Sequence, residues 1–211
     1  MNPKIKNILE WAYCIIIALV LALLFRYFIG TPTIVKQKSM YPTLVENQRL
    51  FLNRTYRITG KNNFQRGDII TFEAPSRASV NSFDIDESNP VAIYDKEPTN
   101  IFSKFVYYIL EFTKTSYIKR VIALPGEHVK IEGGCVYING EKLDEPYLQP
   151  DVVTESPAYR DFIVPEGYIF AMGDNRSNSS DCRNFGCVPY DKIEGKVVLR
   201  FWPFSEFGAI D

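Results

Sequence analysis

YIKRVIALPGEHVKIEGGCVYING, residues 117–140, decides the fold. Tyr117–Leu124 is an apolar, β-branched run that ends at Pro125-Gly126. Val129–Ile131 and Val136–Ile138 follow as two shorter runs, the first closed by Gly133-Gly134 and the second by Asn139-Gly140. Gly-Gly and Asn-Gly suit the primed turns of two-residue hairpins, so the stretch predicts consecutive antiparallel strands. Outward from it, Thr33–Lys36, Arg49–Asn53, Asp68–Phe72 (behind a turn-like Arg66-Gly67), Tyr168–Met172 and Lys196–Trp202 are further strand candidates. No stretch repeats and no long linker divides them. The expectation for residues 30–211 is one largely antiparallel β domain with a hairpin subregion at about 128–168. One excursion interrupts it at about 74–116. Residues 74–100 are rich in Ser, Asp, Asn and Pro, and IFSKFVYYILEFT (101–113) is an apolar, aromatic stretch that could be helical. Such a helix would either pack on the β core or lie at a membrane interface through Phe102, Phe105, Tyr107, Tyr108 and Phe112.

The N-terminus obeys a different rule. WAYCIIIALVLALLF fills the fifteen positions between Glu10 and Arg26, and flanking apolar residues extend the run to residues 8–29. As a helix, 22 residues at ~1.5 Å each cover roughly 33 Å, the thickness of a bilayer's hydrocarbon. Glu10 and Arg26 near its ends can snorkel to the interface. Lys4 and Lys6 ahead of the span predict a cytoplasmic N-terminus (residues 1–7) and an extracytoplasmic body. A cleaved signal peptide shares the basic start, but this run is long and is followed by RYFIGTP, which offers no small-x-small site. The expected class is therefore mainly β, with one uncleaved transmembrane anchor in the cell membrane.

Composition removes several activities. Lys plus Arg total 24 against 25 Asp plus Glu, so no basic surplus points to nucleic acid. His128 is the only histidine, which rules out a His-rich zinc site, and the four cysteines have no zinc spacing. Neither a metal nor a cofactor is expected. Cys14 sits in the span as a small apolar residue; Cys182 and Cys187 could pair outside the cytoplasm, leaving Cys135 unpaired.

With one histidine, a hydrolase needs another base. A lysine serves if burial strips its charge, and it can then take the proton of a serine hydroxyl. Ser39 in KSMYPTL follows a strand that leaves the membrane, and Pro42 fixes the chain direction after it. Lys119 interrupts the apolar strand YIKRVIAL and faces opposite to Arg120. MGDNRSNSSDCRNFG (172–186) is the densest polar cluster, with Asp174, Asn175, Arg176, Ser179, Asp181 and Arg183. Read singly, each also fits an ordinary role: a turn serine before proline, an edge lysine in solvent, an Asn/Asp/Ser turn.

Taken in order behind the anchor, SMYPTL, RGDII, KRVIALPGE and GDNRSNSSDCR closely resemble the bacterial type I (leader) signal peptidases, membrane-bound serine proteases with a Ser/Lys dyad. The resemblance runs from the anchor to RFWPF, apart from the excursion. It implies Ser39 as nucleophile, Lys119 as general base, Ser179 orienting the lysine amine, and Asp181 with Arg183 as a supporting ion pair. Arg66, Gly67 and Asp68 belong to a structural strand motif. It implies as partners the lipid bilayer and the signal peptides of exported preproteins, with small residues at −1 and −3. Three positions depart from the family pattern: Gln37 where Gly, Ser or Thr is usual, Ala123 for glycine, and Cys182 for a common serine. Gln37 bears on the oxyanion, for which the Ser39 amide and the Gln37 side-chain NH₂ are the candidate donors. Other readings of the chain are an inactive relative that holds exported chains without cutting them, a cysteine transpeptidase built on Cys182, Arg183 and His128, and a Ser/Lys self-cleaving regulator, which the anchor makes a poor fit.

Overall fold

The computed structural model describes residues 3–60, 63–78, 85–94, 97–111 and 114–210. The start of the expected cytoplasmic terminus, parts of the 74–116 excursion, and Phe112 lie outside the described residues.

Helix α1 spans Pro3–Phe28, so residues 3–7 continue the helix instead of preceding it. No part of its apolar window is buried against the body, and it is long and apolar enough to cross a membrane. Strand β1 (Gly30–Ile34) starts two residues after α1 ends, earlier than the β-branched run at Thr33–Lys36 suggests. The reason is Gly30: a Cβ there would meet the Leu52 carbonyl and the Phe51 ring, so only glycine lets the chain close onto its neighbour at once.

That neighbour is β2 (Arg49–Asn53), which leads through a short helix α2 (Tyr56–Thr59) to β3 (Ile69–Glu73). Helix α3 (Ile101–Phe105) continues as a wider turn over Val106–Leu110, and β4 follows at Ser116–Ala123. The hairpins are β5 (His128–Glu132), β6 (Cys135–Ile138), β7 (Glu141–Lys142) and β8 (Asp161–Ile163). The chain ends with β9 (Tyr168–Met172), α4 (Cys182–Phe185), β10 (Val188–Pro189), β11 (Ile193–Trp202) and β12 (Gly208–Ala209). Gly133-Gly134 and Asn139-Gly140 both hold positive φ at the two central turn positions, as a primed hairpin turn requires.

The strands form two sheets, one ordered β1-β2-β11-β3-β4-β9-β10 with β12 on β11, the other β7-β6-β5-β8. Every strand ladder is antiparallel. The larger core cluster joins both sheets through Phe162, Phe170 and Val129; the smaller gathers Val35, Met40, Leu44, Leu50, Leu52, Ile69 and Val197. The smaller one matters for function, because Ser39 lies on its rim. The Arg66-Gly67-Asp68 turn braces β3 to β4: Gly67 N–H donates to the Val121 carbonyl at 2.9 Å, and Val121 N–H donates to the Asp68 carbonyl at 2.8 Å.

Candidate active site

Ser39 sits in a single helical turn, Lys38–Met40, just beyond β1. Met40 and Leu44 anchor that turn in the smaller core. Asn175 holds it from the side, its backbone N–H donating to the Ser39 carbonyl and its side-chain amide to the Lys38 carbonyl, both at 3.0 Å. Lys119 reaches the turn from β4, 80 residues along the chain, and donates from Nζ to Ser39 Oγ at 2.8 Å and to the Ile118 carbonyl at 3.1 Å.

β4 lies between β3 and β9 in the sheet, and its residues from Lys119 to Ala123 are buried whichever face they point to. Lys119 and Arg120 are accordingly both buried, 1% and 3% exposed. The two charges are handled in opposite ways. Arg120 is paired: its guanidinium donates to both oxygens of Asp174 (2.9–3.3 Å) and to the Gly67 carbonyl. Thr43 Oγ1 donates to the same carboxylate at 2.6 Å, so this ion pair ties β4 to the segment that follows Ser39. Lys119 has no ion-pair partner among the described residues. Burial pushes it down to about 8, against the pull of the Asp181 carboxylate toward the charged form.

A base of this kind fixes the sign of the pH dependence. With Lys119 as the base, the neutral amine would be the active form, so kcat/KM is expected to rise as pH increases through about 8 and to level above it. The unfolded chain holds the lysine proton up to its ordinary value of 10.5, so stability also rises between about pH 8 and 10.5. His128 pairs with Asp161 on the second sheet at 2.6 Å, so His128→Ala should leave the activity profile unchanged. A pH titration of peptide cleavage checks both; loss of the rising limb in His128→Ala would reassign the base.

Asp181 and Arg183 form the buried support beneath the lysine. Arg183 donates to Asp181 at 2.8 and 2.9 Å, and Gly173 N–H donates to the same carboxylate at 2.9 Å. Burial alone would raise the Asp181 carboxyl, but these donors outweigh it and hold it below its usual range. Ser179 lies beside this pair with its Oγ buried, its hydroxyl also helps hold the Asp181 carboxyl down, and no hydrogen bond joins it to Lys119 among the described residues. Gly173 lies between the two halves of the site: a Cβ on it would strike Ser179 Oγ and the Ser39 carbonyl. Backbone cannot swing aside as a side-chain tip can. Gly173→Ala should therefore displace Ser39 and lower kcat by about 100-fold, the cost of roughly 1 Å of misplacement. Wild-type kinetics in a folded Gly173→Ala protein would show that the site has slack there.

A cleft of about 360 Å³ ends at Ser39. Thr31, Thr33, Val35 and Gln37 form one wall, Lys114, Thr115, Ser116 and Ile118 the other, with Leu52, Thr71 and Met40 among the remaining lining residues. Both walls are strand edges: β1 pairs only with β2, and β4 pairs with β9 only from Arg120 onward. A second, wider space on the far side of Ser39 is lined by Lys38, Tyr117, Ser177, Asn178 and Ser180. Gln37 is exposed and lines both spaces, and the Ser39 amide donates to no protein acceptor among the described residues.

Cys182 and Cys187 are free and fully buried, contrary to the pairing their spacing permits. Cys182 opens α4 and its Sγ accepts from Ala171 N–H; Cys187 lies beyond Gly186 and its N–H bonds the Pro90 carbonyl. Burial pushes both thiols well up, which removes Cys182 as a nucleophile, and His128 stands on another sheet. Thr43, Gly173, Glu111 and Glu194 escaped the sequence reading. Glu194 lines the cleft, and burial pushes its carboxyl up toward the neutral form. A lone Glu in IEGKVV carries no motif that could have flagged it.

The family model described as "Signal peptidase, peptidase S26" matches residues 8–202. Signal peptidase I T of Bacillus subtilis is 35% identical over 213 residues, covering 97% of this chain and 91% of that protein. Signal peptidase IB of Staphylococcus aureus is 33% identical over 217 residues, covering 96% and 93%. A crystal structure of a signal peptidase I from Enterococcus faecalis is 28% identical and covers 64% of this chain and 97% of that one, with a TM-score of 0.42. Because the match takes in the apolar N-terminal helix as well as Ser39, Lys119 and the 172–186 loop, the chain belongs to the signal peptidases of the S26 family of serine peptidases.

Proposed function

We propose that the chain removes N-terminal signal peptides from exported preproteins at small-x-small sites, with Ser39 as nucleophile and Lys119 as general base. The observation that carries this is the 2.8 Å contact between Ser39 Oγ and a buried lysine that has no counter-ion among the described residues, in a strand-edged cleft. The neutral amine takes the hydroxyl proton as Oγ attacks the scissile carbonyl, then returns it to the leaving amine. Water, deprotonated by the same Nζ, hydrolyses the acyl-enzyme and regenerates Ser39. The Ser39 N–H and the Gln37 side-chain NH₂ serve as oxyanion donors. Asp181 and Arg183 fix the floor under the lysine, and Ser179, its hydroxyl buried beside Asp181, steers the amine.

The residues before the cut lie between the free edges of β1 and of residues 116–119, adding a strand, while the wider space takes the residues after it. α1 anchors the enzyme as a single span, with the basic N-terminus cytoplasmic and residues 30–211 outside. Incubating detergent-solubilised protein with a preprotein and sequencing the new N-terminus tests the reading: cleavage after a small residue supports it, and an intact preprotein with a folded enzyme overturns it.

A further inference from the structure

The chemistry at Ser39 makes no use of the helical segment Ile101–Leu110, yet the segment is built in an unusual way. A helix on a soluble body turns its apolar residues inward. Here Ile101 is 88% exposed, Phe102 73% and Phe105 45%, with Lys104 exposed between the two rings. Its other end is firmly held. Lys114 stands over the rings of Tyr107 and Tyr108 at 4.8 and 4.9 Å, and the Tyr107 hydroxyl donates to Glu73. Glu111, the next residue, takes two bonds from Arg54 at 2.9 and 3.0 Å and one from Arg26 at 3.3 Å.

Arg26 is two residues from the end of α1, so Glu111 is fixed at the level where the apolar span ends. Ten helical residues at ~1.5 Å each keep Ile101 within roughly 15 Å of Glu111. On α2, Arg57 donates to the Tyr27 carbonyl at 3.1 Å and stacks on the Tyr27 ring, leaving Ile58 exposed beside the same exit.

We propose that Ile101–Phe105 is a membrane foot: Ile101, Phe102 and Phe105 sink into the headgroup–acyl boundary of an anionic bilayer beside the exit of α1, and Lys104 reaches its phosphates. The occupant is lipid because the foot is tied to the end of the span itself, and a lysine between two rings suits an anionic interface. The inference rests on α1 spanning the bilayer and is independent of the Ser39 chemistry.

The test is depth-resolved quenching in full-length protein reconstituted into phosphatidylcholine/phosphatidylglycerol vesicles. Cys14→Ser and Cys135→Ser remove the accessible thiols, since Cys182 and Cys187 are both 0% exposed. Phe102→Cys and, separately, Phe105→Cys carry an environment-sensitive fluorophore, with Ile16→Cys on α1 and Glu132→Cys on the second sheet as references. At positions 102 and 105 the emission should shift to the blue and fall roughly twofold with lipids bearing a nitroxide near the headgroup end of the acyl chain, the ~5–10 Å depth of an interfacial helix. Position 132 should behave as in water. Water-like emission at 102 and 105 with position 16 quenched overturns the foot alone. A blue shift without lipid quenching overturns it too, by showing that protein covers the patch. Absence of quenching at 16 overturns both the foot and the anchor beneath it.

Discussion

Ser39→Ala and Lys119→Ala should each lower kcat/KM for a preprotein by at least ~10⁴-fold, and the double variant should be no worse than either alone. The expectation follows from the shared contact: Nζ and Oγ bond directly to each other at 2.8 Å. Two groups acting in one step do not add when both are removed. Lys119→Met separates chemistry from packing, since it keeps most of the buried stem while removing the amine. It should be as inactive as Lys119→Ala but closer to wild type in thermal unfolding. Substantial turnover by a folded Lys119→Met protein would end the Ser/Lys assignment.

The second large effect concerns the residue before the cut. An extended substrate between two strand edges turns alternate side chains to one face, so −1 and −3 meet the same wall. Near Ser39 that wall includes Val35 and Met40, both buried in the smaller core and unable to retreat without disturbing it. A larger −1 residue therefore collides instead of merely losing contact. Replacing Ala at −1 by Ser should be tolerated, whereas Val and Phe should lower kcat/KM by factors well above the ~10–200 that one methylene ordinarily decides. Comparable rates for Ala and Phe would leave the small pocket without support.

The elements that local chemistry dictates were legible in the sequence. Gly133-Gly134 and Asn139-Gly140 announce hairpins because few other residues accept positive φ at both turn positions. Tyr168–Met172 and Arg49–Asn53 are strands at those same bounds. The two-residue strands at 141–142, 188–189 and 208–209 carry no pattern of their own and exist because a longer neighbour offers an edge. Within the site, alternation along YIKRVIAL places Lys119 and Arg120 on opposite faces, but only the packing of the folded chain shows that both faces are buried. That Arg120 is neutralised by Asp174, 54 residues away, while Lys119 is left without a counter-ion is a fact of tertiary register. The cysteines teach the converse. A spacing that permits a bridge does not make one: both thiols are buried in the same core, and both are free.

With α1 as the proposed anchor, the near absence of slack between α1 and β1 would make the enzyme a gauge as well as a cutter. Phe28 ends the helix, Gly30 begins the strand, and Arg54 N–H closes on the Ile29 carbonyl at 2.9 Å. Nine residues after Gly30 the same strand path delivers Ser39, so in an anchored enzyme its height above the bilayer would be set by bonded geometry and not by diffusion on a tether. A scissile bond is then presented or withheld according to how far it emerges from the lipid. Inserting a Gly-Ser pair after Phe28 should blur that measurement: cleavage of a short soluble peptide stays the same, while a membrane-inserted preprotein is cut more slowly or at a shifted bond. Unchanged cleavage of both would mean that height is read elsewhere.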